Sequence, residues 1–306
     1  MYKDLTYDAV LASSTRAAWQ LDDVLPADAK LDFTRPFLPE ALARTGGAAG
    51  LSEPELLALN HVRGHEYLAM FGLVEEFILP FVLDHARPLL NGDDFRVRAL
   101  LQFAGEEAKH IHLFRRFRAA FCRGFGQTCE VIGPADAIAA EVLDHDPLAV
   151  AIAVLQIEWM TQAHYLDSVR DDGGIDPLFK SLLRHHWMEE AQHAKLDTMM
   201  VQALADGRSA RSIAAAFEEY LEIGIFLDGG LRRQTEMNLA AFVQRIGRSM
   251  DAHHHARLLD QQHQAARWTF LGSGMAHPQF RRSLAGLSPG LIARLDEVAP
   301  AFALAK

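Results

Sequence analysis

The sequence predicts an all-α fold, a bundle of four long helices with additional N- and C-terminal helices. Three observations predict it. Helical segments begin and end at capping and turn residues, no strand-like alternation lies between them, and one set of Glu and His residues occurs twice at the same spacing. We expect the four-helix core in about residues 52–207 and further helices in residues 1–51 and 209–306. The chain of 306 residues is predicted to form a single all-helical domain.

The first long helix is predicted from a capping box. Ser52 occupies the N-cap position and Glu55 the third helical position, where each side chain can accept from the other residue's backbone N–H. A helical pattern continues from there to about Leu90. Pro80 lies inside it and should kink the helix, because proline removes the hydrogen bond to the carbonyl four residues earlier.

The second long helix follows a short polar turn. Asp93 or Asp94 can cap its start, and the helical pattern runs to about Cys122. Gly124 and Gly126 are expected to stop it, since glycine commonly ends helices. So short a turn predicts that the second helix returns antiparallel to the first.

The third and fourth long helices begin with the same signal. Asp146 and Asp176 are each followed directly by proline, a pattern typical of an N-cap and a first helical residue. The third helix should run to about Val169 and the fourth to Gly207. A similar Ser-Pro pair at Ser288 predicts the start of the last helix.

Composition excludes several classes of protein. The formal charge of −10 disfavours nucleic acid as a partner, because phosphate binding needs a basic surface. Residues 1–10 show no secretory signal, and no stretch approaches the ~18 uncharged residues of a membrane span, so we expect no membrane association. The chain has only two cysteines, Cys122 and Cys129. We therefore expect no disulfide framework, and we expect a cytoplasmic location.

The strongest functional signal is a repeated spacing of potential ligands. The triplet Glu75, Glu107, His110 recurs 83 residues later as Glu158, Glu190, His193. Within each triplet the two glutamates are 32 residues apart, and the middle of each interval falls on a predicted turn. Each helix hairpin should therefore return its second glutamate to the height of its first. The pattern predicts that four carboxylates and two imidazoles meet at one level of the bundle.

Two divalent metal ions would suit such a set. Four buried carboxylates repel one another unless cations neutralise them. Carboxylate oxygens with a few imidazole nitrogens favour iron, with manganese as an alternative. His186 lies four residues before Glu190 and adds a seventh potential ligand, which would make the two metal positions inequivalent. The generic arrangement is that of ferritin-like carboxylate proteins.

Three segments resemble the p-aminobenzoate N-oxygenase family, also called AurF-like di-iron oxygenases. They are FAGEEAKHIH from Phe103, LQIEWM from Leu155 and RHHWMEEAQHAK from Arg184. The resemblance covers residues 60–200 or so. It implies a ferritin-like bundle that binds two iron ions and oxidises an aryl amine with dioxygen. The family usually has Asp where Glu106 and Glu189 stand, next to the ligands, and this difference could alter ligand orientation.

The family's ligand positions can be transferred to this sequence one by one. They fall on Glu75, Glu107, His110, Glu158, His186, Glu190 and His193.

These observations favour a non-haem di-iron oxygenase that activates O2 and oxidises a small amine or aromatic substrate. An external electron donor is expected, because no Gly-rich nucleotide-binding loop is found. A homodimer is possible. Two alternatives stay open. One is an oxidase like the small subunit of ribonucleotide reductase, although Phe114 stands where its radical tyrosine is expected and Tyr67 and Tyr165 are the other candidates. The second is non-enzymatic iron or manganese storage.

Neighbouring residues have simpler interpretations. Glu75 and Glu76 are adjacent, and only one can face the core; the 32-residue spacing favours Glu75. We expect Glu66 to be solvated surface. His61 and His65 are expected to be surface or hydrogen-bonded histidines rather than ligands.

Overall fold

The computed structural model describes residues 5–92 and 94–304, and this part of the chain consists of helices and their connections. The α-helices are α1 (Tyr7–Ala17), α2 (Leu21–Val24), α3 (Glu40–Ala43), α4 (Glu53–Ala86), α5 (Asp94–Phe125), α6 (Ala135–Leu143), α7 (Pro147–Ala163), α8 (Pro177–Ala205), α9 (Ala210–Ile246), α10 (Ala252–Arg267), α11 (Ser273–Ala276), α12 (Pro278–Leu287) and α13 (Pro289–Val298). Two 3₁₀ segments are Arg87–Leu89 and Ala299–Phe302, and two π-helical segments are His164–Val169 and Trp268–Gly272. No strand occurs in the described ranges, so the predicted all-α class is confirmed.

The predicted four-helix bundle is formed by α4, α5, α7 and α8. These helices have 34, 32, 17 and 29 residues. The most extensive packing is within two hairpins, α4 with α5 and α7 with α8, and α5 also contacts α8. The expected bundle with additional N- and C-terminal helices is therefore confirmed.

The capping signals act as the sequence predicts. The backbone N–H of Ser52 donates to Glu55 Oε2 at 2.8 Å in a complete capping box. Asp146 accepts from the backbone N–H two residues on at 2.8 Å, and Asp176 from the N–H three residues on at 2.6 Å. Asp94 is the first residue of α5, whereas the other predicted cap, Asp93, lies outside the described residues.

Gly124 does not end α5 as predicted, because the helix continues to Phe125. A Cβ atom at Gly124 would lie 2.2 Å from the ring of Phe33, so glycine is needed there for close packing. Gly126, with a φ of +75°, follows the last helical residue and ends the helix. Two other bounds also differ in detail. The first long helix changes to a 3₁₀ turn after Ala86, and the third is π-helical from His164 onwards.

The additional helices cover two different faces of the bundle. α1 packs on α5 and α8, and α2 on α8. α9 packs on α4 and α7, and α11 packs on α7. Buried apolar side chains form one core that extends from Val10 to Phe302. Within the described residues, no helix combines the length and apolar composition that a transmembrane span requires.

The expectation that Glu66 is solvated is wrong. Its side chain is fully buried and forms an ion pair with Arg63 one turn earlier on α4. Burial raises the pKa of Glu66, because the charged form loses its hydration, and the Arg63 charge offsets this only in part. Periodicity alone did not reveal this, since α4 is buried around most of its circumference between Leu59 and Phe71.

Candidate metal centre

Each of the four bundle helices contributes to one buried polar cluster. Glu75 lies on α4, Glu107 and His110 on α5, Glu158 on α7, and His186, Glu190 and His193 on α8. All seven side chains are at most 2% exposed. Seven ionisable groups at this depth are costly unless charges are paired or a cation is bound.

The structure distinguishes between the two adjacent glutamates of α4. Glu75 is buried and faces the cluster. Glu76 is partly exposed and accepts from Arg115 of α5 at 2.8 Å. Of the two, Glu75 is the one that lies in the cluster.

Six of the seven residues form two overlapping groups in which the potential ligand atoms all lie within 4.8 Å of one another. One group is Glu75, His110, His186 and Glu190, and the other is Glu107, His110, Glu190 and His193. His110 and Glu190 belong to both. The seventh residue, Glu158, lies outside both groups and shares a hydrogen bond with Glu190.

The carboxylate of Glu190 is the centre of the cluster. Its Oε1 lies 2.7 Å from His186 Nε2 and 3.0 Å from His110 Nδ1. Its Oε2 lies 3.0 Å from His193 Nδ1. Glu75 Oε1 approaches His186 Nε2 at 3.0 Å, and Glu107 Oε1 approaches His193 Nδ1 at 2.8 Å. The two oxygens of Glu190 therefore serve the two different groups.

Two outer carboxylates orient the imidazoles reciprocally across α5 and α8. His193 Nε2 of α8 donates to Glu106 Oε2 of α5 at 2.8 Å, and His110 Nε2 of α5 donates to Glu189 Oε2 of α8 at 2.8 Å. With the proton on Nε2, the Nδ1 lone pair of each ring points into the cluster. Outer carboxylates of this kind fix the tautomer of metal-binding histidines.

The outer carboxylates are themselves held by α1 and α5. Ser14 Oγ of α1 donates to Glu106 Oε1, which also accepts from Gln102 Nε2 at 2.9 Å. Lys109 Nζ donates to Glu189 Oε1 at 2.5 Å. The glutamates that stand where the resemblance implies aspartates thus reach the imidazoles directly.

The amino-acid sequence around this cluster shows which family the chain belongs to. Residues 7–226 match the model of the family described as p-aminobenzoate N-oxygenase AurF. The chain belongs to the AurF family. This match extends beyond the segment on which the resemblance rests, to α1 at one end and into α9 at the other. The predicted enzyme class, an oxidoreductase, is confirmed by this membership.

Solved structures similar to this AurF-family chain include R2-like ligand-binding oxidases. One with an aerobically reconstituted Mn/Fe cofactor is 14% identical, with a TM-score of 0.43, over 87% of this chain and 94% of the other. A variant with the same type of cofactor is 14% identical, with a TM-score of 0.44, over 97% and 95%. A variant with an Fe/Fe cofactor is 14% identical, with a TM-score of 0.43, over 87% and 94%. Comparison with curated proteins gives no match.

The electrostatics of the AurF-family cluster show strong coupling between its groups. Burial, reinforced by Glu107, raises the pKa of Glu75 well above its usual range, and burial and Glu190 do the same for Glu158. Burial acts in the same direction on Glu190, but the charges of His186 and His193 outweigh it and lower its pKa well below the usual range. Burial lowers the pKa of His110, yet hydrogen bonds to Glu189 and Glu190 raise it to about 9. Burial and the neighbouring charges thus act against each other throughout the cluster.

Several buried ligand atoms in the described chain have no hydrogen-bond partner. They are the carboxylate oxygens Glu75 Oε2, Glu107 Oε2 and Glu158 Oε2. Buried polar atoms are rarely left without partners. Four inner carboxylates with three imidazoles and no thiolate are a donor set for iron or manganese. The residues therefore fit a pair of divalent cations.

One further carboxylate was missed in the sequence. Asp197 lies one turn after His193 on α8, is fully buried, and has no hydrogen-bond partner among the described residues for either oxygen. Burial, with Glu107 and Glu190 adding to it, raises its pKa well above the usual range. Continuing the helical face from Glu190 through His193 by four residues would have found it.

Trp19 is a second residue that the sequence did not reveal. Its ring stacks on His110 with 5.8 Å between ring centroids and 14° between planes. Lys109 Nζ lies 3.9 Å from the centroid of the Trp19 ring, and Trp19 Nε1 donates to the carbonyl of His185 at 3.0 Å. No local pattern marks it, because it lies in the connection between α1 and α2.

Proposed function

We propose that this chain is a non-haem di-iron oxygenase, with manganese possible at either position, that oxidises a small amine or aromatic substrate with O2. The observation that carries the proposal is the position of the Glu190 carboxylate, with one oxygen in each of two ligand groups. N-oxygenation is the reaction that membership in the AurF family supports. The metals, when bound, would supply the redox chemistry with O2.

Within this proposal the seven predicted residues hold the metal pair. Glu75 and His186 would hold one ion and Glu107 and His193 the other, with Glu190 between them. His110 belongs to both groups, and Glu158, hydrogen-bonded to Glu190, would complete the set. His186 has no counterpart on α5, where Glu107 is preceded at the equivalent position by Phe103. The two metal positions would therefore be inequivalent.

Aromatic side chains keep the proposed centre dry. The ring of Phe103 stacks on His193 at 4.0 Å between centroids, and the rings of Phe114 and Phe71 contact His186 at 5.1 and 5.3 Å. Exclusion of water strengthens the electrostatic interactions inside the site and limits side reactions.

The proposal includes an external electron donor, because reduction of O2 consumes electrons and the sequence contains no Gly-rich nucleotide-binding loop. It also retains the possible homodimer and the cytoplasmic location. Both cysteines are free thiols, which fits a reducing compartment.

Metal analysis and single-turnover oxidation test the proposed function. We expect about two iron ions per chain after anaerobic reconstitution, and O2 uptake that scales with bound iron. His186→Ala should retain both ions with altered O2 reactivity. Absence of bound metal after reconstitution would overturn the proposal. Uptake of many ions per chain without substrate turnover would favour the storage alternative.

One observation favours the ribonucleotide-reductase-like alternative. The buried hydroxyl of Tyr67 lies 2.8 Å from His164 Nδ1, and His164 Nε2 lies 2.9 Å from Ser273 Oγ. The Ser273 hydroxyl in turn donates to the backbone carbonyl of Thr269 at 3.0 Å. The proton directions are consistent: Tyr67 donates to His164, and His164 donates to Ser273. Burial lowers the pKa of His164 to about 3, which keeps the imidazole neutral and able to accept this hydrogen bond.

Electron paramagnetic resonance distinguishes the two functions. In the alternative, the metals when bound would supply the oxidising chemistry, and Tyr67, hydrogen-bonded to His164 Nδ1, would be the residue that carries the radical. A stable tyrosyl signal after exposure to O2 that is lost in Tyr67→Phe would support this alternative. Substrate oxidation that is unchanged in Tyr67→Phe would support the oxygenase.

A further inference from the structure

We propose that the cavity between α4, α7, α9 and the π-helical segment Trp268–Gly272 is the substrate site, and that it takes an uncharged apolar molecule the size of a substituted aromatic ring. This inference rests on the proposed function and specifies its substrate class. The cavity has a volume of about 250 Å³. Cavities of ~150 Å³ lined by aliphatic and aromatic side chains bind benzene, so a ring with short substituents fits here.

The cavity lies next to the cluster near Glu75 and Glu158, the two glutamates that do not belong to a Glu-x-x-His pair. Val74 and Ile157 line it, and they directly precede Glu75 and Glu158 in the sequence. Phe71 also lines it, and its ring contacts the His186 ring at 5.3 Å between centroids. The Phe71 side chain thus both lines the cavity and contacts a residue of the cluster.

The lining of the cavity excludes charge. Its walls are apolar side chains such as Met70, Met160 and Phe270. Among the described lining residues, Arg233 is the one with a charged side chain. That side chain is 66% exposed and forms an ion pair with Glu236 at 2.9 Å. A carboxylate or an ammonium group inside would lose its hydration without gaining a buried partner.

The apolar lining disfavours p-aminobenzoate, the anionic compound in the name of the family. An aryl amine is uncharged at neutral pH and can enter an apolar cavity, whereas an aminobenzoate would bring an unpaired carboxylate with it. The cavity therefore favours neutral arenes and aryl amines over aromatic acids and over aliphatic amines, which are protonated.

Two probes of similar shape test the charge preference. Isothermal titration of the purified protein with p-toluidine and with p-aminobenzoate compares a methyl group with a carboxylate on the same aryl amine. We expect p-toluidine to bind at least about tenfold more tightly. Equal affinity, or tighter binding of p-aminobenzoate, would overturn the inference.

Matched tryptophan variants test the location. Leu227 lines the cavity from α9, and Ile225, two residues earlier on the same helix, is 68% exposed and does not line it. Leu227→Trp should weaken p-toluidine binding at least about tenfold, whereas Ile225→Trp should leave it unchanged. Ile138→Trp on α6, which also lines the cavity, should repeat the loss, with the exposed neighbour Ala137→Trp as its control. Unchanged binding in both cavity variants would place the substrate elsewhere.

Metal content separates this inference from the proposed function. All four variants lie away from the ligand cluster and should retain the metal content of the wild type. If p-toluidine binds in the cavity of a protein that takes up no metal, the proposed function fails while the cavity assignment holds. If metal binds and O2 is consumed but the cavity variants bind p-toluidine normally, the cavity assignment fails alone.

Discussion

Histidine side chains are buried in two regions of this bundle, and their surroundings shift their pKa values in opposite directions. In the metal centre, carboxylates surround His110 and His193 and raise their pKa, that of His110 to about 9, although burial opposes this. Nearer the start of α4, His61 and His65 lie among phenylalanine rings, and burial lowers their pKa to about 4 and about 3. We call this second region the aromatic end.

The difference shows that burial alone does not make a histidine a ligand. At the aromatic end, His61 Nε2 donates to the carbonyl of Arg35 at 2.8 Å, and the charges of Arg245 and Asp32 act on the ring in opposite directions. That histidine is used for structure. In the candidate metal centre His110 and His193 each have a carboxylate at both ring nitrogens, one outside the cluster and one inside it. All four of these histidines are at most 4% exposed, so the carboxylate neighbours, rather than burial, distinguish the two regions.

Glu190→Ala should have the largest effect on the metal centre. Both ligand groups contain Glu190, so its removal should reduce bound iron from about two ions per chain to fewer than about one. Metal analysis by mass spectrometry after anaerobic reconstitution measures this.

Glu76→Ala, which removes the partly exposed neighbour of Glu75, is the matched control and should keep both ions. Full metal content in Glu190→Ala would show that the anionic neighbours do not bind metal. The contrast between the two regions would then be one of charge alone.

His61→Asn tests the aromatic end through the pH dependence of stability. The unfolded chain binds a proton at this position near pH 6.5 and the folded chain only near pH 4. The unfolded state therefore binds more protons between these values, and stability falls as the pH falls through this window, by up to about 3 kcal/mol. Asparagine cannot take up that proton, so the variant should lose less stability on acidification.

Urea unfolding of the metal-free protein between about pH 7 and about pH 4 measures the difference. The charges of Arg245 and Asp32 act on His61 in opposite directions and stay in place in the variant. His253→Asn, at an exposed position in α10, should leave the pH dependence of the wild type unchanged. Parallel curves for His61→Asn and the wild type would contradict neutral burial of His61.

The sequence predicts which residues meet in the candidate metal centre better than it predicts the packing of the aromatic end, for a physical reason. The Glu-x-x-His pairs and the 32-residue spacing are regular because metal ligands must meet at one height of a regular helix, and that regularity is visible in one dimension. The burial of His61 and Glu66 depends on which helices cover α4, and no local pattern encodes that. Trp19 was missed for the same reason, since its contact with His110 joins residues far apart in the chain.

Glu189→Ala should weaken metal binding moderately. It removes the carboxylate that orients His110 and leaves Lys109 without its partner, while every proposed ligand stays in place. Loss of such an outer carboxylate typically weakens metal binding ~10- to 100-fold. Competition with a calibrated chelator measures the affinity.

Glu189→Gln separates orientation from charge at this position. The amide oxygen can still accept from His110 Nε2, so this variant should recover part of the loss. Equal affinity in Glu189→Ala and the wild type would mean that His110 is oriented by its other contacts, including the stacked ring of Trp19.

Ser14→Ala should have the smallest effect, because it acts on the centre through two hydrogen bonds in series. Ser14 Oγ donates to Glu106, and Glu106 in turn accepts from His193. Loss of one hydrogen bond at this distance should weaken metal binding by no more than about fivefold. Ser13→Ala on the same helix removes a hydroxyl whose hydrogen bonds, to the Ala9 carbonyl and from Arg16, both stay within α1, and it should leave metal binding unchanged. If both variants bind metal like the wild type, α1 covers the centre without orienting it, and the outer carboxylate of Glu106 is fixed by Gln102 alone.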